Sequence, residues 1–437
     1  MKVRFEDYPQ HVGQLAQAAL AAVEPGAAVR RHLQRQGDCL LVGESRYPLG
    51  RGRVFLVSVG KAAGAMGQAA VGLLGAALAA GTVITKRGGD DKSSDWPPAV
   101  QVYQASHPLP DEDSLRATTA VTDMVAQATT GDLVLCLISG GASALLTRPR
   151  VSLSAWRELH QALLACGCPI QELNIVRQAL DRVKGGGLAR LAAPAACASL
   201  ILSDVVGNPL ALIGSGPTAP VDNQAAAAHR ILQRCGLARL VSAQGWQEIE
   251  AGLAAAGAET AGETPPVTNR VIGDVRQAAM AAVTRAAELG FTSHLLTTHL
   301  EGEAREVGRR VAALAKDAPA GTALILGGET TVTLGERYGL GGRNQELALS
   351  AAVNLAGRPG VVVATLATDG EDGPTEAAGA MVTGETVVKA QRLRLDSLAF
   401  LAGHDSYHFF QSIGGHLITG PTGTNVNDLV FVLKYEA

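Results

Sequence analysis

Aromatic residues make up only 4% of this chain and charged residues only 18%. So few aromatics argue against an aromatic-rich binding surface, and a 47% apolar fraction with so little charge argues against an extended or disordered chain. Basic runs are missing too: 37 Lys and Arg face 40 Asp and Glu, a formal net charge of −3. Binding along a nucleic-acid backbone needs clustered cations, so nucleic acid is not the main partner expected. The most apolar segments are shorter than a membrane span and are broken by Gly or charge. The N-terminal MKVRFEDYPQ has no apolar centre like that of a secretory signal. Six cysteines fall without regular spacing, and the one close pair, Cys166 and Cys168, lacks the second pair a zinc site would need. Six reduced thiols in a cytoplasmic protein is the expectation.

What is abundant is glycine, 51 residues in 437, together with short apolar runs separated by Ala-rich helical patterns. A chain of this length calls for two domains or more. Strands are expected at 53–60, 81–86, 100–105, 132–139 and 196–204, and helices at 10–35 (broken at Pro25-Gly26), 61–78, 111–128, 152–166 and 170–182. Strands apolar almost throughout, alternating with helices, indicate a mainly parallel sheet covered on both faces. Helical segments follow over 222–257, and then the polar, proline-bearing 256–269 reads as a linker. Beyond it come strands at 270–273, 291–297, 322–327, 330–334, 360–369, 415–420 and 428–434, with helices at 275–289, 303–316 and 343–356. The expected architecture is a Rossmann-like α/β domain over 1–257 and a smaller α/β domain over 270–437.

Parallel α/β sheets place ligands at the turns that leave the C-terminal ends of their strands. Those turns here are glycine-rich, yet they fail the usual fingerprints. SVGKAAG has a Gly-Lys pair, but Phe55 stands where a P-loop needs its first glycine, and Ala62 follows the lysine where a hydroxyl should. IGSGPTA matches G-x-G-x-x-A at Gly214, Gly216 and Ala219, but Pro217 and Pro220 would break the helix a pyrophosphate needs. SGGASA lacks the last glycine of a nucleophile elbow, which disfavours a serine hydrolase. Each turn does carry a polar residue able to meet an anion or a metal: Lys61, Ser139, Ser143, Lys184, Asp204, Ser215, Glu329, Arg343, Asn344, Asp369 and Asp372. Singly, any of them could be structural. Together they supply the cationic clamps, N–H dipoles and carboxylates that phosphoryl transfer uses.

In order, VGKAAGAM, SHPLPDE, LVLCLISGGASALL, ELNIVRQALDRVKGG, LILSDVVGNPLALIGSGPT, GGETTVTL, GLGGRNQELAL, ATDGEDGPTEAAGA and GPTGTNVNDL resemble blocks of the class II glycerate kinases, the glycerate 2-kinase or MOFRL family. The likeness runs over nearly the whole chain. It implies two α/β domains, the second of MOFRL type, an active site in the cleft between them, and ATP- and Mg²⁺-dependent phosphorylation of D-glycerate on its 2-hydroxyl. Carried over by block, Lys61 matches the lysine of the transferring phosphate, Asp204 a base or Mg²⁺ ligand, and Arg343 a substrate- or phosphate-binding arginine. Asp369 is a second metal-ligand candidate. Ser139, Gly140, Gly141 and Ser143 are expected to hold a phosphate, with Asn174, Arg177, Lys184, Ser215, Glu329 and Asn344 also in binding roles. Arg177 and Lys184, seven apart, would share one helix face, a solvated basic face being the competing reading. Ala142 replaces a frequent third glycine, Val206 a proline, and TKRGGDD a Lys-aromatic-Gly-His run. His404 and His408 stand four apart, but the resemblance makes their run a packing helix. The expected partners are a nucleotide and a small hydroxy acid, with no membrane, and the oligomeric state stays open. Some relatives are labelled hydroxypyruvate reductases, and a non-catalytic sugar-acid sensor is a third reading.

Overall fold

The computed structural model describes residues 3–50, 52–88, 95–259 and 265–436. The chain forms two compact units, one of residues 25–203 and 208–272, the other of residues 1–24, 204–207 and 273–437. In the first, six strands are ordered Val100–Ala105, Leu78–Lys86, Val54–Val59, Leu133–Ile138, Ala196–Leu202 and Val267–Gly273. The first five are joined by parallel pairings. Every residue of Val54–Val59 and Leu133–Ile138 is buried. A run that is aliphatic on both faces can only sit in a sheet with helices on each side, and so the unbroken apolar pattern puts these two strands at the centre.

The second unit carries a mixed sheet, ordered Thr292–Leu300, Thr322–Gly328, Asp428–Lys434, Val361–Ala367, Gly379–Thr383 and His416–Leu417. Only its first pair is parallel; the C-terminal strand Asp428–Lys434 lies antiparallel between two others. Helix Ala304–Asp317 buries Ala304, Val307, Gly308, Val311, Ala312 and Ala315, the 3.6-residue stripe of a core-facing helix. A side chain at Gly308 would lie 2.3 Å from the Leu347 carbonyl, so glycine there lets this helix press against helix Arg343–Leu355.

Several expectations change. Residues 1–24 group with the second unit rather than the first, because helix Tyr8–Ala22 packs its Val12, Leu15 and Ala19 face on helix Val275–Leu289. His11 Nδ1 also meets the Tyr435 hydroxyl at 2.9 Å, within a cluster of Phe5, Phe291 and Tyr435 rings. The stretch 256–269 is not the junction between units: helix Ala243–Ala258 covers its start, strand Val267–Gly273 ends in the first sheet, and 260–264 lie outside the described residues. No strand forms over 330–334, where Thr331 makes a single bridge to Glu303. The strand expected at 415–420 is the pair His416–Leu417. The helix read through residue 35 stops at His32, and a three-stranded meander, Leu33–Gln36, Cys39–Val42 and Ser45–Pro48, follows.

Candidate active site

In the first unit, the turns after the two central strands are stitched to each other. Lys61 N–H donates to the Gly140 carbonyl at 2.8 Å, and Ala62 N–H donates to Ser139 Oγ at 3.1 Å. The Ser139 hydroxyl itself donates to the Val59 carbonyl at 3.4 Å, and the residue is 1% exposed. Gly60 has φ +125°, and a side chain there would strike Ser139, so the glycine is what lets the turns touch. Ser139 is therefore a clip between two loops, not the open phosphate ligand expected of it.

One residue later the arrangement opens. Gly141, at φ +89°, begins the short helix Ala142–Leu145, and a side chain on it would come within 3.2 Å of the His107 ring and 3.5 Å of Lys61 Cγ. Lys61, His107 and the bare Gly141 backbone thus share one place. Burial pushes His107 down to about 4, helped by the charges of Lys61, Lys86 and Arg177. Cations crowd a neutral imidazole here, an arrangement that favours an anion. His107 belongs to the stretch SHPLPDE, where nothing in the spacing marks it out.

Arg177 is held from behind. Its Nε donates to His160 Nε2 at 2.8 Å, while His160 Nδ1 lies 2.8 Å from the Trp156 carbonyl. A carbonyl only accepts, so Nδ1 carries the ring proton and Nε2 is the acceptor. Burial pushes His160 to about 3 and Arg177 to about 10, leaving the imidazole neutral and the guanidinium charged at pH 7. The solvated-face reading fails for this arginine. Ser215 Oγ donates to Asn174 Oδ1 at 2.7 Å, so the 3.0 Å contact between Ser143 and Ser215 uses the Ser143 proton. Ser143 thus faces a hydroxyl, not a general base.

Lys184 also departs from expectation. Helix Ile170–Leu180 ends before it, so no helix face is shared with Arg177. Its Nζ donates to the carbonyls of Ser143 (2.8 Å) and Leu146 (2.9 Å), and the residue is 1% exposed. Burial pushes it down to about 8, with Asp181 opposing. It fastens the short helix and is not placed to touch phosphate. Asp181, which sequence reasoning missed, accepts from the Thr147 hydroxyl at 2.5 Å and from Val183 N–H at 3.0 Å. At Gly214, Ser215 and Gly216 all three φ angles are left-handed, and no helix follows before Ala225. The dinucleotide pattern has no helix to present.

In the second unit, Arg343 opens helix Arg343–Leu355 and is enclosed by carboxylates. Its Nε and Nη2 reach Asp428 at 2.5 and 3.0 Å, and its Nη1 reaches Glu329 at 2.9 Å. Burial works against its charge, but the paired carboxylates prevail and raise its pKa. Asn427 Nδ2 donates to the other Glu329 oxygen at 2.9 Å. Glu329, expected in a binding role, is thus a partner of Arg343, and Asp428, which the sequence did not single out, is the main one. Asn344 and Gln345 donate their backbone N–H groups to Asp372 at 3.0 and 2.8 Å, and burial pushes that carboxyl up to about 6. Asn344 is occupied there rather than facing a ligand. Arg343 also lines a cavity of about 320 Å³ together with Leu334, Tyr338, Gly342, Pro374 and His404.

Asp204 and Asp369, the metal candidates, are both half-buried, and Asp369 Oδ1 accepts from Glu371 N–H at 3.2 Å. Among the described residues no group of three or more His, Cys, Asp or Glu forms a metal cage. Magnesium that travels with a nucleotide needs only one or two carboxylates, with phosphate and water completing its shell, so single aspartates suit it. His404 instead meets Glu346 at 2.8 Å, and His408 meets Asp405 at 2.6 Å, within and beside a helix that buries Phe409 and Phe410.

A family model described as a domain of unknown function (DUF4147) matches residues 11–248, and the MOFRL family model matches residues 322–428. D-glycerate 2-kinase of Thermotoga maritima is 39% identical over 431 residues, spanning 96% of this chain and 97% of its own. Glycerate 2-kinase of Pyrococcus horikoshii is 36% identical over 425 residues, 95% and 94% of the two chains. The crystal structure of a glycerate kinase from Thermotoga maritima matches with a TM-score of 0.86 at 38% identity, covering 98% of this chain and all of that one.

Proposed function

The chain belongs to the glycerate 2-kinase (MOFRL) family, and from that premise we propose that it transfers the γ-phosphoryl group of ATP to the 2-hydroxyl of D-glycerate. The products are 2-phosphoglycerate and ADP. The observation that carries this reading is the meeting of Lys61, His107 and the Gly141 backbone, with the charges of Lys86 and Arg177 also felt at the imidazole. Phosphoryl transfer spreads negative charge over oxygens, and preorganised cations with backbone N–H groups are what stabilise it.

In this mechanism Lys61 neutralises the transferring phosphoryl oxygens, and Arg177, already oriented by His160, supports them. Neutral His107 offers a hydrogen bond without adding charge. Asp204 accepts the proton of the attacking 2-hydroxyl as the new O–P bond forms and the bond to the β-phosphate oxygen breaks. Arg343 fixes Glu329 and Asp428 beside a cavity walled by Tyr338, Leu334 and Pro374. Asp369 would hold Mg²⁺, which when bound offsets the charge of the nucleotide phosphates.

Phosphorus NMR of the product made from D-glycerate and ATP tests the assignment. A 2-phosphate is expected; a 3-phosphate, or no product, contradicts it. The reductase reading, which rests on relatives named putative hydroxypyruvate reductase, is the weaker alternative, since the Rossmann-like pattern at Gly214–Ala219 has no helix behind it. Hydroxypyruvate with NADH should accordingly give no change in nicotinamide absorbance. Lys61→Ala should lower kcat by roughly 10³-fold, the scale of losing one charge-stabilising group, and a near-wild-type rate would remove Lys61 from the mechanism.

A further inference from the structure

A second cationic cavity lies in the first unit and uses none of the residues above. It has a volume of about 310 Å³ and is lined by Arg148, Arg150, Arg182, Arg190 and Glu259. Its origin is legible in the backbone. Pro149 and Asp181 form an antiparallel bridge, flanked by hydrogen bonds from Arg150 N–H to the Leu180 carbonyl (2.8 Å) and from Arg182 N–H to the Arg148 carbonyl (3.0 Å). Extended chain alternates its side chains, so Asp181 turns inward to Thr147 while Arg148, Arg150 and Arg182 line the cavity. The arginines therefore stand on a short, fixed ladder rather than on a mobile loop.

Within the cavity a single carboxylate meets these charges. Arg150 holds Glu259 with both terminal nitrogens, at 2.6 and 2.5 Å, and Arg182 reaches the same carboxylate at 3.3 Å. Among the described residues, the hydrogen bonds of Arg148 and Arg190 go to the Thr122 hydroxyl (3.1 Å) and the Gly185 carbonyl (3.0 Å), and Arg190 feels the charge of the same Glu259. A smaller adjoining cavity of about 110 Å³ adds one more acid, Asp222. Among the described residues, four guanidinium groups thus face two carboxylates. Moreover, the Arg150 side chain is only 9% exposed, and its Nε is buried with no hydrogen-bond partner among the described residues. Guanidinium groups that outnumber the carboxylates, one of them nine-tenths buried, suit a multiply charged oxyanion, which takes several charge-assisted hydrogen bonds at once. Glu259, at the end of helix Ala243–Ala258, is half exposed and can swing out.

We infer that this pocket is a second oxyanion site, built for a compact multiply charged oxyanion such as a phosphate or phosphate ester, in which Glu259 is the resident carboxylate that the incoming anion displaces. Its binding does not depend on the kinase reading.

The test is isothermal titration of the full chain with inorganic pyrophosphate, in a Lys61→Ala background that weakens the other anion pocket. Binding should persist in that background. Adding Glu259→Gln removes the internal competitor and should tighten it about tenfold, whereas adding Arg182→Ala should weaken it about tenfold, the scale of one charge-assisted hydrogen bond. Arg182 is half exposed, and its side chain pairs only with Glu259 among the described residues, so its loss leaves the fold intact. No binding in the background protein, or equal affinity with and without either added substitution, overturns the proposal.

Discussion

At His160, burial and the neighbouring Arg177 act in the same direction, holding the ring neutral far below its ordinary pKa of 6.5. The unfolded chain takes up that proton below about pH 6.5, while the folded protein resists until about pH 3. Stability from the neutral ring is therefore present above pH 6.5 and drains away as the pH falls through this window. One such proton contributes a slope of at most about 1.4 kcal/mol per pH unit. His107, pushed to about 4, adds to it over the same upper range. Urea unfolding from pH 7 down to pH 5 should show this decline, and His160→Gln should flatten it; an unchanged slope would sink the assignment. Little of this could be read from sequence. Lys61 was legible because Gly-Lys at a strand end is a pattern, whereas His107, His160 and Asp428 acquire their roles only from partners remote in the chain.

Among the elements, the four-residue helix Ala142–Leu145 is too short to be stable by itself. It stands because Lys184 binds the carbonyls of Ser143 and Leu146 and because Asp181 fixes Thr147 behind it. Lys184→Met keeps most of the side-chain volume but leaves Asp181 and two carbonyls without their cation. It should lower stability by about 3 kcal/mol and slow turnover by loosening Gly141, as denaturation and steady-state kinetics would show. A variant as stable as the wild type would return Lys184 to the list of candidate ligands. Central strands and long helices were readable in advance: 275–289 agrees to the residue, because buried aliphatic runs and Ala-rich stripes carry their own period. The meander Leu33–Pro48 was not, since Leu33–Gln36 buries only its first residue and leaves no apolar alternation to detect.

For the molecule as a whole, helix Tyr8–Ala22 completes a core that the rest of its unit supplies from 273 onward. A fragment of residues 270–437 should therefore be less stable than the same unit with this helix, and a peptide of residues 3–24 added in trans should restore part of the loss. Thermal melts of the fragment with and without peptide would check this, and an unresponsive, fully stable fragment would refute it. The sequence by itself determined the α/β class, the central strands and the glycine turns with their lysine, because burial period and turn chemistry are local properties. Only the tertiary structure decided which unit claims the N-terminal helix, that Ser139 and Lys184 fasten loops instead of facing a ligand, and that Arg343 is clasped by Glu329 and Asp428. Those outcomes depend on which side chains meet across long stretches of chain, and on how burial sets their charge.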